Sequence, residues 1–224
     1  VTQLTDKVVV TIVGNPKTET YDGTEKTVTG YRVTSISNSL YKESDFEYKA
    51  GKDVARGTDA GKYMMGLAAE DFHNLNGNFE NVTFEVTNGW LEILPAAITI
   101  TAKDNTVEYD GKAHGEIGYD ATATVKNQKI ESVTIDGSKI DAGKYDHLLV
   151  PRDAKIVDAS GKDVTKNYAI TYVSGTLEIT KRGAGEAKVK VIANDNTVTY
   201  DGFANGEGAT YDVTGSQLNV GKSE

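Results

Sequence analysis

The chain has 224 residues, which is enough for one or two domains of ordinary size or for several smaller ones. Its 24 basic and 33 acidic residues give a formal charge of −9, which disfavours nucleic acids and anionic membranes as partners because they attract positive surfaces. The lack of cysteine excludes disulfides, thiol nucleophiles and thiolate metal sites, and no apolar run approaches the ~20 residues that span a bilayer.

A Tyr-Asp-Gly motif occurs three times, as Tyr21-Asp22-Gly23, Tyr109-Asp110-Gly111 and Tyr200-Asp201-Gly202. Each copy follows, at the same distance, a run in which apolar and polar residues alternate, as in a half-buried strand. The motif tyrosines are 88 and 91 residues apart, so each repeat is about ninety residues long. We therefore divide the chain into the tail of a preceding repeat (1–7), segment 1 (8–96), segment 2 (97–183) and segment 3 (184–224), an incomplete third repeat.

In segment 1 we predict short strands separated by turns. Residues 8–13 form the first strand, and Asn15-Pro16 turns the chain back. Asn88-Gly89 is a strong two-residue turn signal, and it predicts a closing hairpin between residues 82–87 and 90–94. Further strand-like pieces lie at 27–35, 46–49 and 63–68, and residues 70–81 are predicted to be a loop.

Segment 2 repeats this pattern. Residues 98–102 and 107–109 are predicted to form an opening hairpin across Asp104-Asn105. An Asp-Ala-Gly-Lys-Tyr element containing Gly143 repeats the element around Gly61, and the Gly-Lys pair returns at Gly221 in segment 3. Each segment is expected to close around its own small core. The five-residue connection that contains Pro95 should hold segments 1 and 2 close and stiffly, whereas the Gly-rich connection to segment 3 should be flexible.

The stretch between the Tyr-Asp-Gly motif and the Gly-Lys element changes in length from one segment to the next. From the Tyr to the Gly it spans 40, 34 and 21 residues in segments 1, 2 and 3. Loops of variable length on a constant frame commonly carry binding sites, which makes residues 24–58 and 112–140 candidate binding loops. The alternative is that they are neutral insertions.

We find no convincing catalytic or metal-binding pattern. The three histidines, His73, His114 and His147, show no metal-binding spacing, and no G-x-S-x-G nucleophile motif occurs. The Asp-rich turns are better explained by turn geometry than by calcium binding, because no D-x-D-x-D-G run is present. We predict no catalytic residue, no cofactor and no metal site.

The aromatic residues leave two alternatives open. A motif Tyr at the end of a strand is expected to cover the core edge while its hydroxyl bonds a backbone group, and the competing role is a sugar-stacking platform. Trp90 is expected to pack at the junction of segments 1 and 2, and its competing role is an exposed ligand contact.

Several recurring motifs resemble those of the YDG/MBG-type repeats of bacterial surface proteins. They are the Thr-Tyr-Asp-Gly and Glu-Tyr-Asp-Gly openings, the central Gly-Lys element, the Asn-Phe and Asn-Tyr pairs at 78–79 and 167–168, and the closing Gly-x-Leu-Glu-Ile motif. MBG abbreviates "mostly β-grasp". The resemblance implies mainly-β, tandem β-grasp-like modules with small mixed sheets in an elongated arrangement, and the alternative fold is an Ig-like β-sandwich.

The same resemblance implies an extracellular, cell-wall-attached adhesin or stalk, often of a Gram-positive bacterium, whose anchor lies outside this segment. Repeats of this family often carry a His shortly after the motif. Here His114 fits, but Lys26 and Asn205 take its place in the other segments, which argues against a shared metal or catalytic role. A Lys–Asn isopeptide cross-link, found in some Gram-positive adhesin domains, stays an open alternative.

From these patterns we expect a non-enzymatic structural array that projects a binding region from the cell wall. Its partners would be neighbouring repeats of the same chain, with no nucleic acid and no membrane insertion. The alternative is that the modules themselves bind a host glycan or an extracellular matrix protein through residues 24–58 and 112–140.

Overall fold

The computed structural model describes residues 6–183, which are built of strands joined by turns. Three 3₁₀ turns interrupt the strands, and this part of the chain contains no α-helix. The prediction of a mainly-β fold is confirmed, in keeping with the many Val, Thr and Tyr residues. Within residues 6–183 no helix is long and apolar enough to cross a membrane. Tyr200, Asp201, Gly202 and Gly221 lie outside the described residues, as do the other predictions made for 1–5 and 184–224.

Segment 1 contains ten strands and two 3₁₀ turns. The strands are β1 (Val8–Gly14), β2 (Pro16–Thr20), β3 (Lys26–Thr29), β4 (Tyr31–Ile36), β5 (Phe46–Tyr48), β6 (Val54–Gly57), β7 (Gly61–Met64), β8 (Phe72–Asn74), β9 (Val82–Thr87) and β10 (Trp90–Leu94). The 3₁₀ turns are Glu43–Asp45 and Ala69–Asp71. Residues 70–81, predicted to be a loop, thus hold part of a 3₁₀ turn and one short strand.

Segment 2, with the residue before it, contains seven strands and one 3₁₀ turn. The strands are β11 (Ala96–Ala102), β12 (Asn105–Glu108), β13 (Tyr119–Ala121), β14 (Gln128–Asp136), β15 (Gly143–Asp158), β16 (Tyr168–Val173) and β17 (Gly175–Thr180). The 3₁₀ turn is Thr165–Asn167, directly before β16.

The same pairing pattern occurs in both segments. Segment 1 contains the sheets β4-β1-β9 and β2-β10-β7, and segment 2 contains β13-β11-β16 and β12-β17-β15-β14. In each sheet one strand has a parallel neighbour on one side and an antiparallel neighbour on the other. This mixed pairing differs from that of the alternative fold, an Ig-like sandwich, whose sheets are antiparallel.

The register of the parallel pairs also agrees between the two segments. Val8 lies opposite Val82, and Ala96 lies opposite Tyr168. The structural counterpart of Asn167-Tyr168 is therefore Asn81-Val82, and the sequence match to residues 78–79 is wrong by three positions.

The two predicted hairpins are wrong. Strands β9 and β10 lie in different sheets, and so do β11 and β12. The Asn88-Gly89 turn instead passes the chain from one sheet to the next, beside the equivalent passage from β1 to β2. The two passages lie so close together that a Cβ atom on Gly89 would lie 2.6 Å from the carbonyl oxygen of Asn15. Glycine is required there because the two backbones touch.

The buried core is not divided at the segment boundary. The largest cluster of buried apolar side chains combines segment 1 residues such as Leu91 and Ile93 with Ile98, Ile156 and Tyr168 of segment 2. A smaller cluster lies entirely within segment 2 and consists of Ala102, Leu149, Leu177 and Ile179. The expectation of a separate core for each segment is therefore wrong, and both segments belong to one compact unit.

Candidate functional site at the segment junction

The two described Tyr-Asp-Gly motifs form the same turn. Asp22 Oδ1 accepts the backbone N–H of Thr24 at 2.9 Å, and Asp110 Oδ1 accepts that of Lys112 at 2.9 Å. The Gly that follows each Asp has a φ of +79°. The motif therefore needs an Asp to bind the backbone two residues ahead and a Gly for the left-handed angle.

A cationic or imidazole side chain four residues after each motif Asp completes the turn. Lys26 forms an ion pair with Asp22, and His114 Nε2 lies 2.8 Å from Asp110 Oδ1. Lys26 and Thr24 hold the pKa of Asp22 well below its usual range, and the Lys112 N–H and His114 lower the pKa of Asp110. His114 and Lys26 thus stabilise the same turn in the two segments.

The other histidines lie apart from this turn. His73 lies on β8 opposite Glu47, and His147 is an exposed residue within β15 with a φ of +57°. Among residues 6–183 no group of three His, Cys, Asp or Glu side chains is placed to hold a metal ion.

Tyr21 lies at the junction of the two segments and is only 4 % exposed. Gln128 Nε2 donates to the Tyr21 hydroxyl oxygen at 2.7 Å, and the Tyr168 hydroxyl donates to Gln128 Oε1. The rings of Tyr21 and Tyr168 meet edge to face, with centroids 5.8 Å apart. The Tyr21 hydroxyl thus bonds a side chain of segment 2, and the predicted backbone partner is wrong. Tyr109 is half-buried against the smaller core cluster.

Asn167 makes the second junction contact, beside the Gly61 element. Its side chain is fully buried; Nδ2 donates to Asp59 Oδ1 at 2.9 Å, and Oδ1 accepts the N–H of Ala60 at 2.8 Å. Lys166 Nζ lies 2.8 Å from Asp59 Oδ2. Lys166 and then Asn167 lower the pKa of Asp59. One amide side chain thereby satisfies a backbone donor and a carboxylate of the other segment.

The Gly61 and Gly143 elements are alike within their own segments. The Tyr63 hydroxyl donates to the carbonyl of Asp59, and the Tyr145 hydroxyl donates to that of Asp141. Gly61 has a φ of +150°, whereas Gly143 has no left-handed angle and lies against the Tyr145 ring. The two elements share the Tyr-to-Asp bond, but only Asp59 is bonded to a second segment.

A cleft of about 470 Å³ lies along this junction. Segment 1 lines it with the first Tyr-Asp-Gly turn and with Thr58-Asp59, and segment 2 lines it with residues 126–128 and with the turn from Asp158 to Lys162. A second hollow of about 440 Å³ adjoins it on the segment 2 side. Parts of both variable stretches, 24–58 and 112–140, therefore meet in one place.

Most of residues 24–58 does not form a free loop. The stretch contains β3 to β6, and Val28, Tyr41, Phe46 and Ala55 are buried in the large core cluster. Only its two ends, at Thr24 and Thr58, line the cleft.

Trp90 does not pack at the junction. It lies at the start of β10 between Pro16 and Met64, whereas the other end of that strand, at Leu94, leads to segment 2. The Lys62 ammonium group lies 4.4 Å from the centre of its ring. The expected junction role is therefore wrong.

Comparison with known proteins finds a family match within segment 1. Residues 8–95 match the MBG domain. MBG domains are non-catalytic and typical of extracellular surface proteins. No curated protein and no solved structure matches the chain. The matched bounds coincide with β1 to β10, and the Tyr-Asp-Gly turn of that MBG-type domain supplies one wall of the junction cleft.

The sequence did not reveal which residues join the segments. Asn167 and Tyr168 belong to a recurring pair in the sequence, but no local pattern marks Gln128 or Asp59 as a contact between segments. Tyr21 and Gln128 are 107 positions apart, and Asp59 and Asn167 are 108 positions apart. Such pairs follow from packing and not from local pattern.

Proposed function

We propose that the chain is a non-enzymatic spacer of a bacterial cell-surface adhesin, in which MBG-type repeats follow one another and project a binding region from the cell wall. The MBG match at residues 8–95 supports the surface location. The observation that carries the spacer role is the buried junction between segments 1 and 2. In this proposal the partners of each repeat are its neighbours in the same chain.

A spacer must resist bending at its joints. Here the joint combines a continuous apolar core with part-buried hydrogen bonds from Asn167 and Gln128. The connection between β10 and β11 is a single residue, Pro95, whose φ is fixed by its ring. Arrays of this kind gain length by repetition and stiffness from their nearest-neighbour interfaces.

The stiffness is tested by distance measurements between spin labels. Because the chain contains no cysteine, Thr83→Cys and Ala169→Cys place one label at equivalent exposed positions of each segment. We expect one narrow distance distribution. Asn167→Ala should broaden it, and Asp141→Ala, the segment 2 counterpart of the Asp59 position, should not. A broad distance distribution in the labelled chain without further substitutions would contradict the spacer role.

A second function, binding of a host glycan or matrix protein by the segments themselves, is supported by the junction cleft. Residues 24–58 and 112–140 each contribute to its lining. Binding sites are common at the interfaces between domains. The test is whether binding to a glycan or matrix-protein panel disappears when residues 126–128 are replaced by a shorter turn.

A further inference from the structure

We infer that the junction cleft binds an acidic saccharide through Lys126 and Lys162. This inference rests on the second of the two proposed functions and defines its ligand class. It does not depend on the spacer role.

The carboxylates of the cleft are already engaged. Asp22 binds Thr24 and Lys26, and Asp59 binds Asn167 and Lys166. Asp158 Oδ1 accepts three hydrogen bonds, from the N–H and hydroxyl of Ser160 and from the N–H of Lys162. These acids maintain the walls of the cleft, because each one closes a turn or joins the two segments.

Two ammonium groups are not used in this way. Lys126 and Lys162 are exposed and line the cleft from two different turns. Within residues 6–183 neither forms an ion pair, although the charge of Lys162 is close enough to lower the pKa of Asp158 and of Asp59. Since Lys26 and Lys166 neutralise Asp22 and Asp59, the remaining charges are two lysines against Asp158. The free charge of the cleft is therefore positive, in a chain that is acidic as a whole.

The rest of the lining suits a ligand rich in hydroxyl groups. Thr58 offers a hydroxyl group and Asn127 an amide group. The hydroxyls of Thr24 and Ser160 donate to Asp22 and Asp158, so only their oxygens can accept a hydrogen bond from a ligand. Tyr21 is buried and turns no free ring face to the cleft. A nucleobase or aromatic ligand would need such a face for stacking. Hydroxyl-bonding groups with free ammonium groups match a sugar that carries carboxylate or sulfate groups.

The walls are also fixed before a ligand arrives. Asn127 has a φ of +63°, Gly161 one of +86° and Gly23 one of +79°. Each of these angles belongs to a closed turn, so the lysines are carried by defined backbones. A preformed site loses less conformational entropy on binding.

The test is titration calorimetry on the full 224-residue chain with three hexasaccharides. Hyaluronan offers carboxylates, a heparin fragment adds sulfates, and maltohexaose is neutral. We expect one or both acidic probes to bind, with an affinity that falls as salt is raised. Lys126→Gln together with Lys162→Gln should weaken binding by about tenfold or more. Lys7→Gln together with Lys112→Gln removes the same charge from exposed sites outside the cleft and should leave binding unchanged.

The two acidic probes separate carboxylate from sulfate recognition. Absence of binding by both, stronger binding of maltohexaose, or equal losses in the two double variants would overturn the inference. A narrow spin-label distribution combined with any of these results would retain the spacer and remove only the binding site.

Discussion

Gly23 and Gly111 have the same backbone angle, but only Gly23 faces the other segment. An added Cβ at Gly111 would meet no atom within 4 Å, whereas at Gly23 it would lie 3.2 Å from Gln128 Nε2 and 3.3 Å from Val125. We predict that Gly111→Ala lowers the free energy of unfolding by about 1–2 kcal/mol through the left-handed angle alone. Gly23→Ala should lower the free energy of unfolding further, because the added methyl group also crowds Gln128 and Val125 at the junction. If urea denaturation gives the same decrease in the free energy of unfolding for both variants, the junction accommodates the extra methyl group without strain.

Asp59 should make the junction sensitive to acid. Its bonds to Lys166 and Asn167 lower its pKa in the folded chain below the ordinary value of 3.8. Its contribution to stability is therefore complete above about pH 4 and is lost as the pH falls through the lowered folded pKa. We predict that unfolding midpoints of Asp59→Asn decline less between about pH 5 and pH 2 than those of the unsubstituted chain. Asp141→Asn is the matched control and should follow the unsubstituted chain.

At the scale of strands, local patterns predicted positions better than partners. The alternation of apolar and polar residues located β1 and β11, and the Gly-x-Leu-Glu-Ile close located β10 and β17. The hairpins failed because Asn88-Gly89 marks a sharp bend without specifying that the two flanking strands pair. The parallel partners are far apart in sequence, since β1 pairs with β9 and β2 with β10. The cleft could not be predicted for the same reason.

The close contact between the chain connections that join the sheets leads to a prediction for Gly89 and Gly175. A Cβ atom on Gly175 would lie 2.7 Å from the carbonyl oxygen of Ala102, and the crowding at Gly89 is equally against backbone. Backbone atoms cannot move away as a flexible side chain does, so alanine at either position should lower the free energy of unfolding by about 1–3 kcal/mol. Gly183→Ala meets no atom within 4 Å and should change it little. Chemical denaturation of the three variants checks this, and a neutral Gly89→Ala would show that the two passages can separate.

For the molecule as a whole, the shared core and the junction hydrogen bonds both stabilise the contact between segments 1 and 2. A unit of about ninety residues has a small interior, and burial across the boundary adds to it. The same contacts form the walls of the cleft, so a ligand that touches both segments would hold them together more tightly. Stiffness and binding are therefore compatible uses of one junction.

The shared core predicts that segments 1 and 2 unfold together. Trp90, the only tryptophan, lies in segment 1 and reports on that segment alone. Ile179→Ala removes a buried side chain from the cluster confined to segment 2, at a cost of about 2–5 kcal/mol. Because segment 1 loses its junction when segment 2 unfolds, the Trp90 fluorescence midpoint should move down with the segment 2 transition. Ile140→Ala removes the same atoms from an exposed position and should leave the midpoint unchanged. If circular dichroism shows an early segment 2 transition while the Trp90 midpoint stays in place, the two segments fold independently.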